Sequence, residues 1–271
     1  MAQPPRTLPP VHPNLGIEAA YRRRLVALID EMHASILYWI TAAYRGYEDA
    51  ADDLAIDAAP IPTASLIRKM RRLGKRWLDR FDKAAPELAA HFAKHVSERS
   101  DAALAASLRK AGISVRFQTT PAIRNAMAAA VGENVGLIKT IAATHFAKVE
   151  GAVLRSAAVG RDLHSLTAEL ADGYGVTKRR AAFIAKDQSN KLTAVVTKTR
   201  QQQAGITQAI WLHSAGGNEP RPEHIAWSGK RYEVAKGMWS EVDQEWVWPG
   251  TAINCRCVAK PVLPALAGLT E

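Results

Sequence analysis

A mainly α fold is what this sequence predicts: an elongated helical N-terminal body followed by a small α+β C-terminal module. Three observations carry that expectation. Apolar residues recur at helical spacing through about the first 200 positions. Alanine, the strongest helix former, is abundant across the same stretch. Beyond it, alanine thins, glycine and proline appear at turn positions, and five of the seven tryptophans gather between Trp211 and Trp248.

The elements follow in order. Residues 1–15 hold five prolines and little to bury, so they read as a flexible arm. From Ile17 to about Tyr47, Leu25, Leu28, Ile29, Met32, Ile36, Leu37 and Ile40 keep i, i+3, i+4, i+7 spacing. "DAAPIPTAS" at 57–65 breaks the pattern, and Thr63 or Ser65 is placed to cap the next helix, 65–82. Further helices are expected at about 85–111, 121–132, 134–158 and 162–172, with Thr177 opening a last one through Gln203. "SVRFQTT" at 114–120 has an extended pattern. "TQAIWLHS" (207–214), "KRYEVA" (230–235) and "CRCVAKPVL" (255–263) read as strands. The domains implied are an arm (1–15), a helical body (16–204), a module (205–263) and a tail (264–271), with the main boundary in "QQQAGIT".

The totals narrow the function. At 271 residues and 48% hydrophobic content the chain can bury a core. Its N-terminus lacks the apolar stretch of a secretory signal, and no run of 18 apolar residues suggests a membrane span. Two cysteines do not make a disulfide scaffold, which fits a soluble protein made in a reducing cytoplasm. A net charge of +10 points to a polyanionic neighbour, most simply nucleic acid. Candidate phosphate contacts are Arg68, Lys69, Arg72, Lys75 and Arg76 on one helix and Lys178, Arg179 and Arg180 on another. Their plain alternative is a solvated helix face. No helix-turn-helix, zinc-finger or RNA-recognition signature is present.

The chemistry-bearing residues gather in "HSAGGNEPRPEH" (213–224) and "PGTAINCRC" (249–257). On a strand, Cys255 and Cys257 share one face, with Asn254 and Arg256 on the other. A disulfide between positions i and i+2 fits poorly. Two thiolates with His224, and His213 or a carboxylate as a fourth ligand, would make a zinc set. The alternative is a pair of small buried core residues. A third reading is catalytic, with Glu223 and His224 moving a proton beside Arg221 and Arg256 as in a nuclease.

The order of these motifs is informative as a set. "IAKDQSNKL" on a helix, the "AGITQAIWLHS" strand, "EPRPEH", "SGKRYEV", "WPG" and "INCRC" together resemble the phage Mu F-type head morphogenesis family, over about residues 150–260. The resemblance implies a minor capsid protein of the capsid interior, present in the virion and in the host cytoplasm during assembly. Its implied partners are the portal protein, the major capsid or scaffold protein, and packaged double-stranded DNA. Carried over by position, the motif residues are Asp187, Trp211, His213, Arg221, Pro222, His224, Gly229, Lys230, Pro249, Gly250, Asn254, Cys255, Arg256 and Cys257. Relatives with further cysteines near the turn, and a histidine before the final pair, resemble zinc binders. Here those places hold Arg221, His224 and Thr251–Ala252, which favours a packed or hydrogen-bonded brace. The expectation is therefore a structural protein with no catalytic residue and no required cofactor, zinc being the metal the set would take. The rival expectations are a metal-dependent or RNase-like nuclease module on a helical stalk, and a non-specific DNA-binding protein.

Overall fold

The structure, a computed structural model, describes residues 6–52, 63–158, 163–216 and 219–263. Four long helices come first: α1 (Leu15–Asp52), α2 (Thr63–Lys110), α3 (Pro121–Ala158) and α4 (Leu163–Gln203). The rest is β1 (Gln208–Leu212), a short α5 (Pro222–Ala226), β2 (Arg231–Glu233), β3 (Met238–Ser240), β4 (Glu245–Val247) and β5 (Val258–Val262). The mainly α fold with a C-terminal α+β part is as the sequence predicts. The break at 57–62 and the tail at 264–271 lie outside the described residues, as do residues 1–5 of the arm.

Seven expected helices are in fact four. The expected break after residue 82 does not occur: Pro86 lies inside α2. Proline removes one backbone bond and crowds the preceding turn, but Phe81, Ala85, Ala89 and Phe92 are all buried and hold the helix on both sides. The expected break near Gly132 is absent too. Asn134, inside the continuous α3, accepts a hydrogen bond from the Tyr21 hydroxyl at 2.8 Å. Thr177 does not open a helix. It lies within α4, and its hydroxyl donates back to the Gly173 carbonyl at 2.8 Å.

The chain divides into two compact units. One comprises the described residues within 20–89 and 133–184. Its core comes from buried stripes on four helical segments. Leu25, Ile29, Met32, Ile36 and Ile40 face inward from α1, and Leu66, Met70, Leu73, Trp77 and Phe81 from α2, both at 4, 3, 4, 4 spacing. From α3 come Ile138, Ile141 and Val149, and from α4 Leu166, Leu170 and Ile184. Leu15–Tyr44 is long and apolar enough to cross a membrane by length and composition alone, a test that the core helix of a soluble protein also passes. Five of its apolar residues form that buried stripe, while Leu15, Tyr38 and Trp39 are exposed and Arg22, Arg23 and Arg24 lie exposed along it.

A polar cluster sits inside this unit. The His145 ring nitrogen Nδ1 lies 2.9 Å from the Thr177 hydroxyl, while Nε2 is buried without a partner. Burial, then the neighbouring His33 and Lys148, push the His145 pKa down to about 4. His33 is lowered as well, again by burial, with Asp30 opposing. A histidine that resists protonation only when folded stabilises fully above its unfolded pKa of about 6.5. That stability is lost as pH falls from there towards 4. The melting temperature is therefore expected to drop across pH 6.5 to 4, and His145→Gln to flatten the profile. A profile that keeps its slope in that variant would remove His145 as the cause.

The other unit comprises the described residues within 1–19, 90–132 and 185–271. Its sheet is antiparallel with order β2-β1-β5, and β3 and β4 form a separate hairpin. On β1, Gln208 pairs with Glu233 on one side and Val262 on the other. The described part of the N-terminal segment, from residue 6, is not a free arm. Thr7 bridges Val262, the Leu8 amide donates to the Pro261 carbonyl, and the Leu263 amide donates to the Arg6 carbonyl. Leu8 and Val11 then bury in a cluster with Leu104, Leu108, Ile206 and Leu263. The segment's two apolar side chains outweigh its prolines, and Pro261 has no N–H to offer but still accepts on the sheet edge. "SVRFQTT" forms no strand. It is an irregular connection after α2, which ends with the Gly112 amide on the Arg109 carbonyl and the Ile113 amide on the Leu108 carbonyl. Helix α4 ends the same way at Gly205, which places Ile206 in the same apolar cluster.

Candidate functional site

The two cysteines lie just before β5 rather than on it, because the chain turns at 251–254 and Asn254 adopts a φ of 56°. The turn is fastened to α4. The Asp187 Oδ1 atom accepts the Asn254 amide at 2.5 Å, and Lys191 Nζ stands 3.2 Å from Oδ2. Gly250, with φ 86°, packs so closely that an added Cβ would lie 3.0 Å from Ala194 Cβ and 3.2 Å from the Cys257 carbonyl. Only glycine suits both the conformation and the space.

The "RPEH" segment approaches from the other side. Pro222 starts α5, as its fixed φ and missing N–H allow, and the helix buries His224. Arg221 Nη1 donates to the Ile253 carbonyl at 3.1 Å, and Arg256 donates to the Gly216 carbonyl. Trp211 on β1 stands behind, fully buried. Its ring is 5.0 Å from the His224 ring and 4.8 Å from that of Trp227. Gly229, with φ 83°, donates to the Trp211 carbonyl, and the Trp211 amide donates to the Lys230 carbonyl. The motif residues thus converge on one locus and act there as fasteners.

His224 Nδ1 faces both sulfurs, at 3.5 Å from Cys255 Sγ and 3.7 Å from Cys257 Sγ. All three side chains are buried, and both cysteines are free. The thiols are coupled. A hydrogen bond from Cys257, then one from His224, draws Cys255 well below the usual thiol range against the effect of burial. The same partnership pushes Cys257 up.

Two expected participants are elsewhere. His213 is not the fourth member of the set. It begins the loop after β1, where its Nδ1 accepts the Ala215 amide at 3.2 Å. Glu223 is committed to the hairpin, accepting from the Ser240 hydroxyl at 2.8 Å and from the Glu241 and Val242 amides at 2.9 and 3.3 Å. Asp187 is likewise occupied, so neither carboxylate is presented as a base beside His224.

The basic residues divide into committed and available. Lys178 pairs with Asp30 at 3.4 Å, and Arg180 donates to Thr140 at 2.9 Å. Arg71 and Arg80, two other cations of the α2 face, pair with Glu150 and Glu31. Lys69, Arg72, Lys75 and Arg76 instead line a groove with Trp39 and Asp79. Among the described residues these four cations have no ion pair. Sequence reasoning named them but missed Trp39, whose place off the Ile36, Leu37, Ile40 stripe was the available signal.

This architecture defines a class of protein: long helices with a small tryptophan-rich module that is built around a Cys–His–Cys locus and tied to α4 through Asp187. Residues 147–260 match the family described as Phage Mu protein F like protein, and this region of the chain is similar to that family. The match runs from within α3 to β5 and so contains the whole locus. The chain is also 34% identical, over 151 residues, to an uncharacterized protein of Haemophilus influenzae. That alignment covers 56% of this chain and 32% of the relative, so the matched part is about a third of the relative's length. No solved structure matches this chain.

Proposed function

We propose that this chain is a minor head protein of a tailed phage, a structural component of the capsid interior near the portal that acts in procapsid assembly and in DNA packaging or delivery. The match of residues 147–260 to the Phage Mu protein F like family carries the reading. The locus supports it, because its polar groups are spent on holding the module together rather than aimed at a substrate. The proposed partners are the portal protein, the major capsid or scaffold protein, and packaged double-stranded DNA. The protein binds without turnover. Co-expression with the portal, scaffold and capsid proteins of the same phage should yield procapsids that contain it. Procapsids of normal composition that lack it would sink the proposal.

The α2 groove is the proposed DNA contact. Its four cations meet phosphates without reading sequence, so binding weakens steeply with salt. Replacing Lys69, Arg72 and Arg76 by alanine should lower the salt slope by roughly one for each phosphate contact removed. Arg71→Ala should leave the slope unchanged, because Arg71 is paired with Glu150. An unaltered slope in the triple variant would move the DNA contact off this groove. DNA binding by a protein absent from procapsids would favour a plain DNA-binding role.

A further inference from the structure

We infer that Cys255, Cys257 and His224 form a zinc site with three protein ligands. The geometry carries the inference. Zinc sits about 2.3 Å from thiolate sulfur and about 2.0–2.1 Å from imidazole nitrogen in tetrahedral sites, which separates a sulfur from a nitrogen ligand by about 3.5–3.6 Å. The two sulfur–nitrogen distances here are 3.5 and 3.7 Å. All three ligand atoms lie within 4.8 Å of one another, so a single ion can reach each of them.

The alternative is a hydrogen-bonded brace, which gives the single Nδ1 lone pair to only one of the two sulfurs that face it. A bare imidazole nitrogen accepts one S–H bond, yet Nδ1 is nearly equidistant from two sulfurs. The ring has no other polar outlet, because Nε2 is buried without a partner. A cation between the three groups uses every lone pair that faces inward. Backbone amides already support the sulfurs as they support thiolate ligands: the Gly250 N–H donates to Cys255 Sγ at 3.4 Å, and Ser214 supplies a backbone hydrogen bond to Cys257.

Soft thiolates with one imidazole suit zinc over magnesium or calcium. The nearby carboxylates of Asp187 and Glu223 are occupied, and His213 is turned to its own loop. Among the described residues no fourth protein ligand stands with these three. Binding is ligand exchange with no redox change. Two sulfurs and one nitrogen displace water from the hydrated ion as it becomes four-coordinate, and the protons held by the thiols leave to solvent.

The test uses the full chain, kept reduced and stripped with a chelator. Zinc is titrated against a chromophoric competitor, and cobalt(II) is then used as the spectroscopic probe. The expected result is one zinc per chain, a higher melting temperature with zinc, and thiolate-to-cobalt charge-transfer absorption. Cys255→Ser and Cys257→Ser should each weaken binding by more than the roughly 10–100-fold that loss of an outer-sphere partner costs. His213→Ala should keep full stoichiometry, and losing it would overturn the three-residue assignment. Should the cysteine variants fail to fold, the unaltered chain decides alone. Two free thiols with no bound zinc and no charge-transfer band would overturn the site and leave the hydrogen-bonded brace.

Discussion

Trp211→Ala is expected to cost the C-terminal module about 3–5 kcal/mol, the range for emptying a buried aromatic position. Trp211 is 0% exposed on the central strand of the sheet, packed among His224, Trp227 and Tyr232. Its loss opens a cavity beneath His224, the one residue that faces both cysteines, so the hairpin and the "INCRC" turn loosen together. Hydrogen exchange checks this: amides of β1 and β2 should lose most of their protection. Trp239→Ala supplies the contrast. That ring pairs with Trp246 at 5.5 Å but stands 38% exposed on β3, and its loss should cost well under half as much. Equal costs would mean that the core does not rest on Trp211.

Arg200→Ala is the second large effect. Arg200 is buried on α4 and grips both Asp101 oxygens at 2.7 Å. It also donates to the Gln118 carbonyl at 2.6 Å and to Gln203 at 2.8 Å. One side chain thus ties α4 to α2 and to the irregular segment after it. Removing one partner of a buried pair costs about 3–5 kcal/mol, because the other charge is left without compensation. The Asp101 side chain keeps 24% exposure, which places the expected loss at the lower end of that range. Urea denaturation gives the measurement. Arg200→Lys should recover only part of the loss, since an ammonium cannot make the planar fork. Replacing both Arg200 and Asp101 with apolar residues should recover more than either single change, and strict additivity of the two would count against the pairing.

The helical stripes were legible in the sequence because helix periodicity is local. Leu25 to Ile40 and Leu66 to Phe81 announce their buried faces by spacing alone. The strand at 207–214 and the boundary in "QQQAGIT" after α4 were legible from signals of similar range. The helix boundaries were less so. Pro86, Gly132, Gly173 and Thr177 all carry local signals for ending or starting a helix, and tertiary burial on either side overrides each of them. The prolines of the N-terminal segment misled in the same way, since pairing with β5 and the burial of Leu8 depend on partners about 100 to 250 residues away.

The candidate site divides along the same line. The residue types and their order, with Asp187, Trp211, Arg221, His224, Asn254 and the two cysteines, were set by the sequence and carried the family resemblance. Alternation along an extended chain also placed both cysteines on one side, even though they precede the strand. Only the tertiary structure decided which groups meet: His224 with both sulfurs, Asp187 with the Asn254 amide, Glu223 with the hairpin, and His213 with its own loop. It also separated the cations left free in the α2 groove from those already paired. The physical reason is one of range. Periodicity and turn chemistry act over a few residues and can be read along the chain, whereas hydrogen bonds and ligand sets join groups 30 to 70 residues apart only after the core has packed.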